Sequence, residues 1–284
     1  MIFVIIISVL FIFLLAVDII DINRFVVKQY EIKSDKINKE FNIVLLSDLH
    51  NKEFGKNNKK LVEAIGDINP DFILCAGDML TAKPGKDYLP AVRFFECMKN
   101  RPVYYGLGNH EYRMKIYTDD FGTAYEEYTD ALKNFNVNIL ENNHIDIEDA
   151  NVRIQGLMID RYFYKRFEHY EMTKEYIRSL TGEKDDSKLE IMIAHNPEYF
   201  QGYAESGADV IVSGHVHGGI MKLPLIGGVI SPKLKLFPRF DGGIYEYKNS
   251  TMILSRGLGC HTLPLRIFNP GELVVIRLNP CKKI

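Results

Sequence analysis

The chain has 284 residues, 46% hydrophobic and 25% charged, a composition that suits a globular protein with a full core and argues against disorder. Its formal net charge is −2, so there is no basic excess to track a phosphate backbone, and a nucleic-acid partner is not expected. The 4 cysteines, Cys75, Cys97, Cys260 and Cys281, form no CxxC pair, which argues against a disulfide framework and a thiolate zinc site.

Residues 2–17 are an apolar run broken only by Ser8, and Asp18, Ile19, Ile20, Asp21 and Ile22 follow. A membrane-spanning helix needs roughly 20 mostly apolar residues, with a lower limit of about 17. The run is short but spans if its ends snorkel or the bilayer thins. No basic n-region precedes it and no Ala-x-Ala site follows, so an uncleaved anchor over 1–22 is preferred to a signal peptide or a core segment. The flank after it carries Arg24, Lys28, Lys33, Lys36 and Lys39. By the positive-inside rule these place the bulk of the chain in the cytoplasm. The expected localisation is therefore the cell membrane, through one N-terminal span.

Residues 23–41 read as a charged, extended connector, and the catalytic domain is expected over 42–280. Residues 42–47 are a continuous apolar run ending in a polar turn, as in a buried strand. Residues 57–68 predict a helix with Leu61, Val62, Ile65 and Ile68 on one face, and 72–76 a second strand. A helix over 89–98, a strand over 103–106, a helix over 123–134 and a hairpin of 145–147 with 152–157 follow. A helix is expected near 173–180, then a strand over 189–194, a helix opened by Pro197, and a strand over 209–213. The last third shows strands near 244–247, 252–255 and 272–278, and it reads as antiparallel. Strands alternating with helices predict parallel βαβ units and an α/β class.

Most of the polar residues that stand out lie where a strand is expected to end. They are Asp48-Leu49-His50, Gly77-Asp78, Gly108-Asn109-His110-Glu111, His195 and Gly214-His215-Val216-His217. Such run ends form the ligand-binding edge of an α/β sheet. Asp, Asn and His donors suit Mn, Fe, Zn or Ni rather than Cu(I) or iron–sulfur clusters. In an extended segment residues i and i+2 share a side, so Asp48 and His50 are expected to grip one ion together, and His215 with His217 likewise. Asp78, short and charged, suits a carboxylate shared by two cations. Asn109 offers a neutral amide oxygen. His110 should point away from it and act on substrate, where an imidazole near its ordinary pKa serves as leaving-group acid. A pair of divalent ions would supply an activated hydroxide at neutral pH and clamp phosphate oxygens.

The ordered set D-x-H, G-D, G-N-H-E, H and G-H-x-H resembles the calcineurin-like metallophosphoesterase family over roughly 42–278. The resemblance implies a four-layer sandwich of two mixed β-sheets flanked by helices. It implies one metal on Asp48, His50, Asp78 and His217, a second on Asp78, Asn109, His195 and His215, and His110 as the catalytic histidine. Asn109 and Arg256 are further expected at the substrate, Arg256 as a guanidinium for phosphate, with a structural ion pair as its alternative. Glu111 either orients His110 or caps a helix.

His195-Asn196-Pro197, His217-Gly218-Gly219 and Ser255-Arg256-Gly257-Leu258-Gly259 are similar to the membrane-attached phosphodiesterase branch, which includes bacterial enzymes that hydrolyse UDP-2,3-diacylglucosamine. Position 220 departs from that branch, with Ile where Gln is frequent. The implied function is a dinuclear metal-dependent phosphoesterase, a phosphodiesterase on a lipid-linked or amphiphilic phosphate ester. The alternatives are a UDP-2,3-diacylglucosamine pyrophosphate hydrolase and a catalytically silent scaffold. Residues 218–243 mix apolar and basic side chains and read either as a lipid-facing lid or as a loop packed on the sheet.

Overall fold

The computed structural model describes residues 1–85, 87–165, 168, 170–219, 221–223, 227–230, 236–260 and 264–281. Position 220 and much of the expected lid lie outside that set. The first element, α1 (Ile2–Ile22), is apolar all round until Asp18 and is long and apolar enough to cross a membrane. A helix with no polar face has no side suited to water.

The chain then enters a sheet directly. β1 (Phe25–Ser34) and β2 (Phe41–Leu46) are followed by α2 (Lys59–Ile68), β3 (Phe72–Cys75), α3 (Leu89–Glu96) and β4 (Val103–Gly106). α4 (Asn109–Ile116), α5 (Thr118–Phe121) and α6 (Ala124–Lys133) lead to β5 (Val137–Leu140). Next come β6 (His144–Ile147), β7 (Val152–Leu157), α7 (Lys174–Thr181), β8 (Leu189–Ala194), α8 (Phe200–Glu205) and β9 (Val210–Ser213). The chain closes with β10 (Met221–Leu223), β11 (Gly227–Ile230), β12 (Gly243–Tyr247), β13 (Ser250–Leu254) and β14 (Gly271–Pro280).

These strands build two six-stranded mixed sheets, ordered β1-β14-β2-β3-β4-β5 and β12-β13-β9-β8-β7-β6, plus the small β10–β11 ribbon. β2 to β5 run parallel to one another, as do β7, β8, β9 and β13. The period of two along each strand explains the layers. Ile43 and Leu45 of β2 point between the sheets, where they meet Ile191, Ile193 and Val212. Val44 and Leu46 point outwards onto Leu61, Ile65, Phe94 and Phe95 of the helical layer. On the far side Met192, Ile211 and Leu254 pack with Ile177, Phe200 and Tyr203 of α7 and α8. The result is the helix–sheet–sheet–helix sandwich that the resemblance implies.

Three expectations change. The segment read as a connector is extended, but it is a strand of the first sheet, paired with β14 from Phe25↔Gly271 to Ser34↔Pro280. It reads as a connector because it is an edge strand: Lys28, Glu31 and Lys33 are solvated while Ile32 alone is fully buried in the inter-sheet core, and charged side chains protect an open edge. The last third is only partly antiparallel, since β13 joins β9 and β14 joins β1 in parallel. A helix also begins at Asn109 itself, where no helix was expected. If β1 is part of the core, Ile32→Ala lowers unfolding stability by about 2–5 kcal/mol. A urea titration in detergent followed by near-UV circular dichroism measures this, and a loss below ~0.5 kcal/mol, typical of a surface site, contradicts it.

Candidate metal centre

Each expected donor lies just beyond the carboxyl end of a parallel strand. Asp48 and His50 follow β2, Asp78 follows β3, and Asn109 and His110 follow β4. From the second sheet, His195 follows β8 at once, and His215 and His217 follow β9. Two sheets packed face to face with these ends together bring all eight side chains to one place.

Three clusters emerge: Asp48, His50 and His217; His50, Asp78 and His110; and Asp78, His195 and His215, each with its donor atoms within 4.8 Å of one another. Asp78 Oδ2 stands 3.2 Å from His195 Nε2 and 3.9 Å from His50 Nε2. Asp48 Oδ1 is 3.5 Å from His217 Nε2 and 3.9 Å from His50 Nε2. The His50 and His217 rings stack with centroids 5.0 Å apart, and His195 and His215 meet edge to face at 5.1 Å. His215 and His217 therefore fall in different clusters, in the grouping that the resemblance implies and against the alternate-residue reading that they act as one pair. Asp48 and His50 do share a cluster, but not because the segment is extended.

The backbone explains this. Asp48, His50, Asp78, His215 and His217 all have positive φ, between 51° and 73°. Left-handed backbone at non-glycine residues costs on the order of 1–3 kcal/mol each and persists where surrounding structure enforces it. Two local devices enforce it here. Asp48 N–H donates to the Gly77 carbonyl (2.9 Å) and His50 N–H to the Asp78 carbonyl (3.1 Å), lacing two strand ends together. Gly108 also lies so close to Asp78 that a Cβ there would stand 2.2 Å from Asp78 Oδ1.

A shell of residues behind the donors was largely missed by sequence reasoning. Glu111 is fully buried, and its carboxylate accepts from the N–H groups of Asp78 (2.9 Å), Met79 (2.9 Å) and Gly108 (3.0 Å) and from the Tyr105 hydroxyl (2.7 Å). It closes the first turn of α4 and holds the Asp78 loop, so of its two expected roles the helix cap is the one seen. The Ala82 N–H donates to His110 Nδ1 (2.9 Å), and His195 Nδ1 donates to the Ala76 carbonyl (2.5 Å). The Asn269 amide donates to the carbonyls of His217 (2.8 Å) and Gly219 (2.7 Å). Only the spacing of Glu111, three residues after Gly108, carried a sequence signal for this shell.

Charge inside the site is strongly redistributed. Burial opposes charge on His195, but Asp78, by its charge and hydrogen bond, and Asp48 overcome it and push its pKa up to about 10. Burial likewise opposes charge on Asp78, yet His195, His110 and His50 hold it well below the usual carboxylate range. Burial, with repulsion from Asp78, pushes Asp48 up to about 6. Burial and the Arg266 guanidinium push His217 down to about 3.

The donors fit divalent metal ions. They are carboxylate, amide and imidazole groups only, and Asn109 Oδ1 is a buried acceptor with no hydrogen-bond donor among the described residues. Because His195 Nδ1 is engaged by a carbonyl, its neutral tautomer leaves the Nε2 lone pair towards Asp78, where a ligand is needed.

The profile of calcineurin-like phosphoesterases matches residues 41–219, more than half of the chain. The chain belongs to this metal-dependent family. It is 28% identical over 263 residues to an uncharacterized metallophosphoesterase of Campylobacter jejuni, covering 89% of this chain and 63% of that protein. It is 24% identical to a transmembrane protein with metallophosphoesterase domain of Danio rerio, over 87% of this chain and 56% of the relative. It is also 24% identical to the UDP-2,3-diacylglucosamine pyrophosphatase LpxG of Chlamydia muridarum, over 83% of this chain and 82% of LpxG. The chain spans 63–64% of the length of the first curated relatives it matches.

In this member of the family the donors open into a cavity of about 710 Å³ lined by Asp78, Asn109, His110, His215 and His217. Arg256 is not brought into it. Its Nε donates to Glu272, both side chains are buried, and its stem packs against Gly218 and Gly242. The expected phosphate-binding role gives way to the structural ion pair. Among the described residues, the cations that do line the cavity are Arg113, Arg161, Lys165 and Arg239. Arg113 lies one helical turn after Asn109 on α4, a spacing visible in the sequence once a helix is recognised there.

Two outcomes follow. Glu111→Gln turns an amide nitrogen towards backbone donors and lowers stability by about 2 kcal/mol or more, measured by thermal or urea unfolding; an unchanged midpoint contradicts the cap. His195, protonated at neutral pH in metal-free protein because its pKa is raised, must lose that proton to bind a cation. Metal uptake then releases protons, and metal affinity rises with pH towards about 10. Calorimetric titration in two buffers of different ionisation enthalpy reads the proton count, and a zero count contradicts the coupling.

Proposed function

We propose that the protein is a membrane-anchored dinuclear phosphodiesterase acting on a lipid-linked or amphiphilic phosphate ester. One ion would be held by Asp48, His50, Asp78 and His217, the other by Asp78, Asn109, His195 and His215, with Mn, Fe, Zn and Ni all suited to these donors. The observation that carries this is Asp78, one buried carboxylate shared by donors from both sheets. When bound, such a pair of ions generates a nucleophile from water near neutral pH and stabilises charge on phosphate oxygens.

The chain's own residues supply the rest. His110 is built differently from His195: its Nδ1 accepts the Ala82 N–H, so a neutral ring carries its proton on Nε2. That tautomer, assigned from the hydrogen bond, suits donation to a leaving oxygen rather than ligation. Arg113 and Arg161 take the phosphate-orienting part first expected of Arg256. Tyr164, its ring 5.4 Å from that of His215, walls the cavity on the side of the second sheet.

The anchor reading draws on α1 and its attachment. Asp18 and Asp21 accept hydrogen bonds from the backbone of Arg266 and Asn269, so cleavage of α1 would strip caps from the domain. Arg24 and Lys28 just after α1 favour a cytoplasmic domain. A narrower reading, a UDP-2,3-diacylglucosamine pyrophosphatase that releases UMP, is favoured by the likeness to LpxG across more than four-fifths of both chains.

Wild type with Mn²⁺ should hydrolyse bis(p-nitrophenyl) phosphate, and Asp78→Ala should lose both bound metal and turnover. His110→Ala should keep its metal, measured by elemental analysis, while kcat falls by about 10²–10⁴. Full activity in His110→Ala would remove it from catalysis, and an inactive, metal-replete wild type would favour a scaffold. Screening phospholipids and nucleotide lipids for product separates the broader substrate class from the narrower one.

A further inference from the structure

The join between α1 and the domain is more than a tether. Asp18 and Asp21 are only 6% and 1% exposed at the end of an apolar helix. Asp18 Oδ1 accepts from the Arg266 N–H (2.6 Å) and Asp21 Oδ2 from the Asn269 N–H (3.0 Å), and the Gly271 N–H donates to the Arg24 carbonyl (3.2 Å). The Arg266 guanidinium, itself buried, donates to the carbonyls of Arg256, Gly257, Gly259 and Asn269. The Arg266 and Asn269 N–H groups of this loop thus find acceptors on α1, and the Asn269 carbonyl finds a donor in Arg266.

Its outward side chains are apolar. Pro264 is exposed, Leu265 is 39% and Phe268 38% exposed, and Ile267 is half-buried. The Phe268 ring lies 6.3 Å from that of Phe13. Phe13 stands roughly 13 Å back along α1 from Ile22, at ~1.5 Å per residue, so the loop reaches well up the side of the helix. A segment in hydrocarbon must satisfy its polar backbone groups within the protein, since unsatisfied ones cost several kcal/mol. The Arg266 N–H and the Ile267 carbonyl have such partners, on Asp18 and Lys222, and the exposed side chains of the loop continue the apolar surface of the membrane-length helix beside it.

We propose that residues 264–268 form a second membrane-contacting element that enters the lipid beside α1, with Leu265 and Phe268 facing the acyl chains. The occupant of this surface is the bilayer, which rests on the reading of α1 as an anchor. The immersion bears on the candidate site because the next residue, Asn269, holds the His217 and Gly219 carbonyls, and the Lys222 N–H donates to the Ile267 carbonyl (3.0 Å). β10 and β11 continue from there to Leu236 and Phe237, 66% and 62% exposed at the rim of the cavity. The cavity is thereby held at the membrane surface, where an amphiphilic phosphate ester presents its headgroup.

The chain contains no tryptophan, so single substitutions give single reporters. Full-length Leu265→Trp, Phe268→Trp, Phe11→Trp and Phe135→Trp would be reconstituted in phosphatidylcholine vesicles with or without brominated acyl chains. Phe11 lies within α1, and Phe135 precedes β5 at the opposite end of the sheet from the site. Bromine should cut emission about twofold or more at positions 11, 265 and 268, as expected of side chains in the acyl region, and leave 135 unchanged. Quenching at 11 with 265 and 268 both behaving like 135 overturns the immersed loop and leaves the anchor standing, as when a protein partner or a second copy covers the loop. No quenching at 11 overturns both.

Discussion

A carboxylate withdrawn from water is tolerated only where opposite charge and hydrogen-bond donors replace its hydration. Asp78 meets that condition through groups drawn from both sheets: the His110 N–H on Oδ1 (2.8 Å), His195 Nε2 beside Oδ2 (3.2 Å) and His50 further out. Removing any of these would leave a second buried group without its counterpart. The loops after β2, β3, β4, β8 and β9 are therefore constrained jointly, and the left-handed residues at Asp48, His50, Asp78, His215 and His217 are the local cost of aiming so many donors inwards. Glu111 extends the same logic one layer back by accepting from the buried backbone N–H groups of Asp78 and Met79, which would otherwise be left without partners.

The buried strands were legible because both faces of each are covered, so β2, β3, β8 and β9 read as mostly apolar runs, interrupted only by Asn42 and Glu190 before their polar ends. The donors were legible because each follows such a run. What the sequence concealed were features whose cause is non-local. β1 carries the charges of an exposed edge and becomes a strand only because β14, more than 240 residues later, lies beside it. The grouping of His217 with Asp48 and of His215 with Asp78 is the one the motif resemblance implies, but alternate-residue geometry could not reach it, because it depends on turns with positive φ.

The arginines make the same point about charge. Arg256, in a Ser-Arg-Gly-Leu-Gly stretch near the site, looked like a phosphate ligand, but Glu272 of β14 claims it. Arg266 drew no attention and is the most deeply committed cation, with its donors spread over the carbonyls of two loops. Which guanidinium remains available for substrate is decided by which carboxylates and carbonyls fold up beside it. Residue type alone does not carry that information, whereas the helical spacing of Asn109 and Arg113 does, because both lie on one short element that already carries a donor.

Under the proposed membrane anchoring, the attachment of α1 gives the helix more than a tethering part. A tether would only raise the concentration of the domain near a membrane and leave the cavity free to face anywhere. Here Asp18, Asp21 and Arg24 fix the helix end to residues 266–271, and Asn269 fixes that loop to the carbonyl of His217. The helix axis and the cavity therefore keep one relative orientation. For an amphiphilic substrate this matters energetically, since drawing an acyl chain into water costs about 0.8 kcal/mol per CH₂ and quickly exceeds what a phosphate site can return. A site held at the headgroup level avoids that cost by leaving the chains in the bilayer. The same rigidity would be of little use for a soluble nucleotide, which reaches an active site equally well in any orientation.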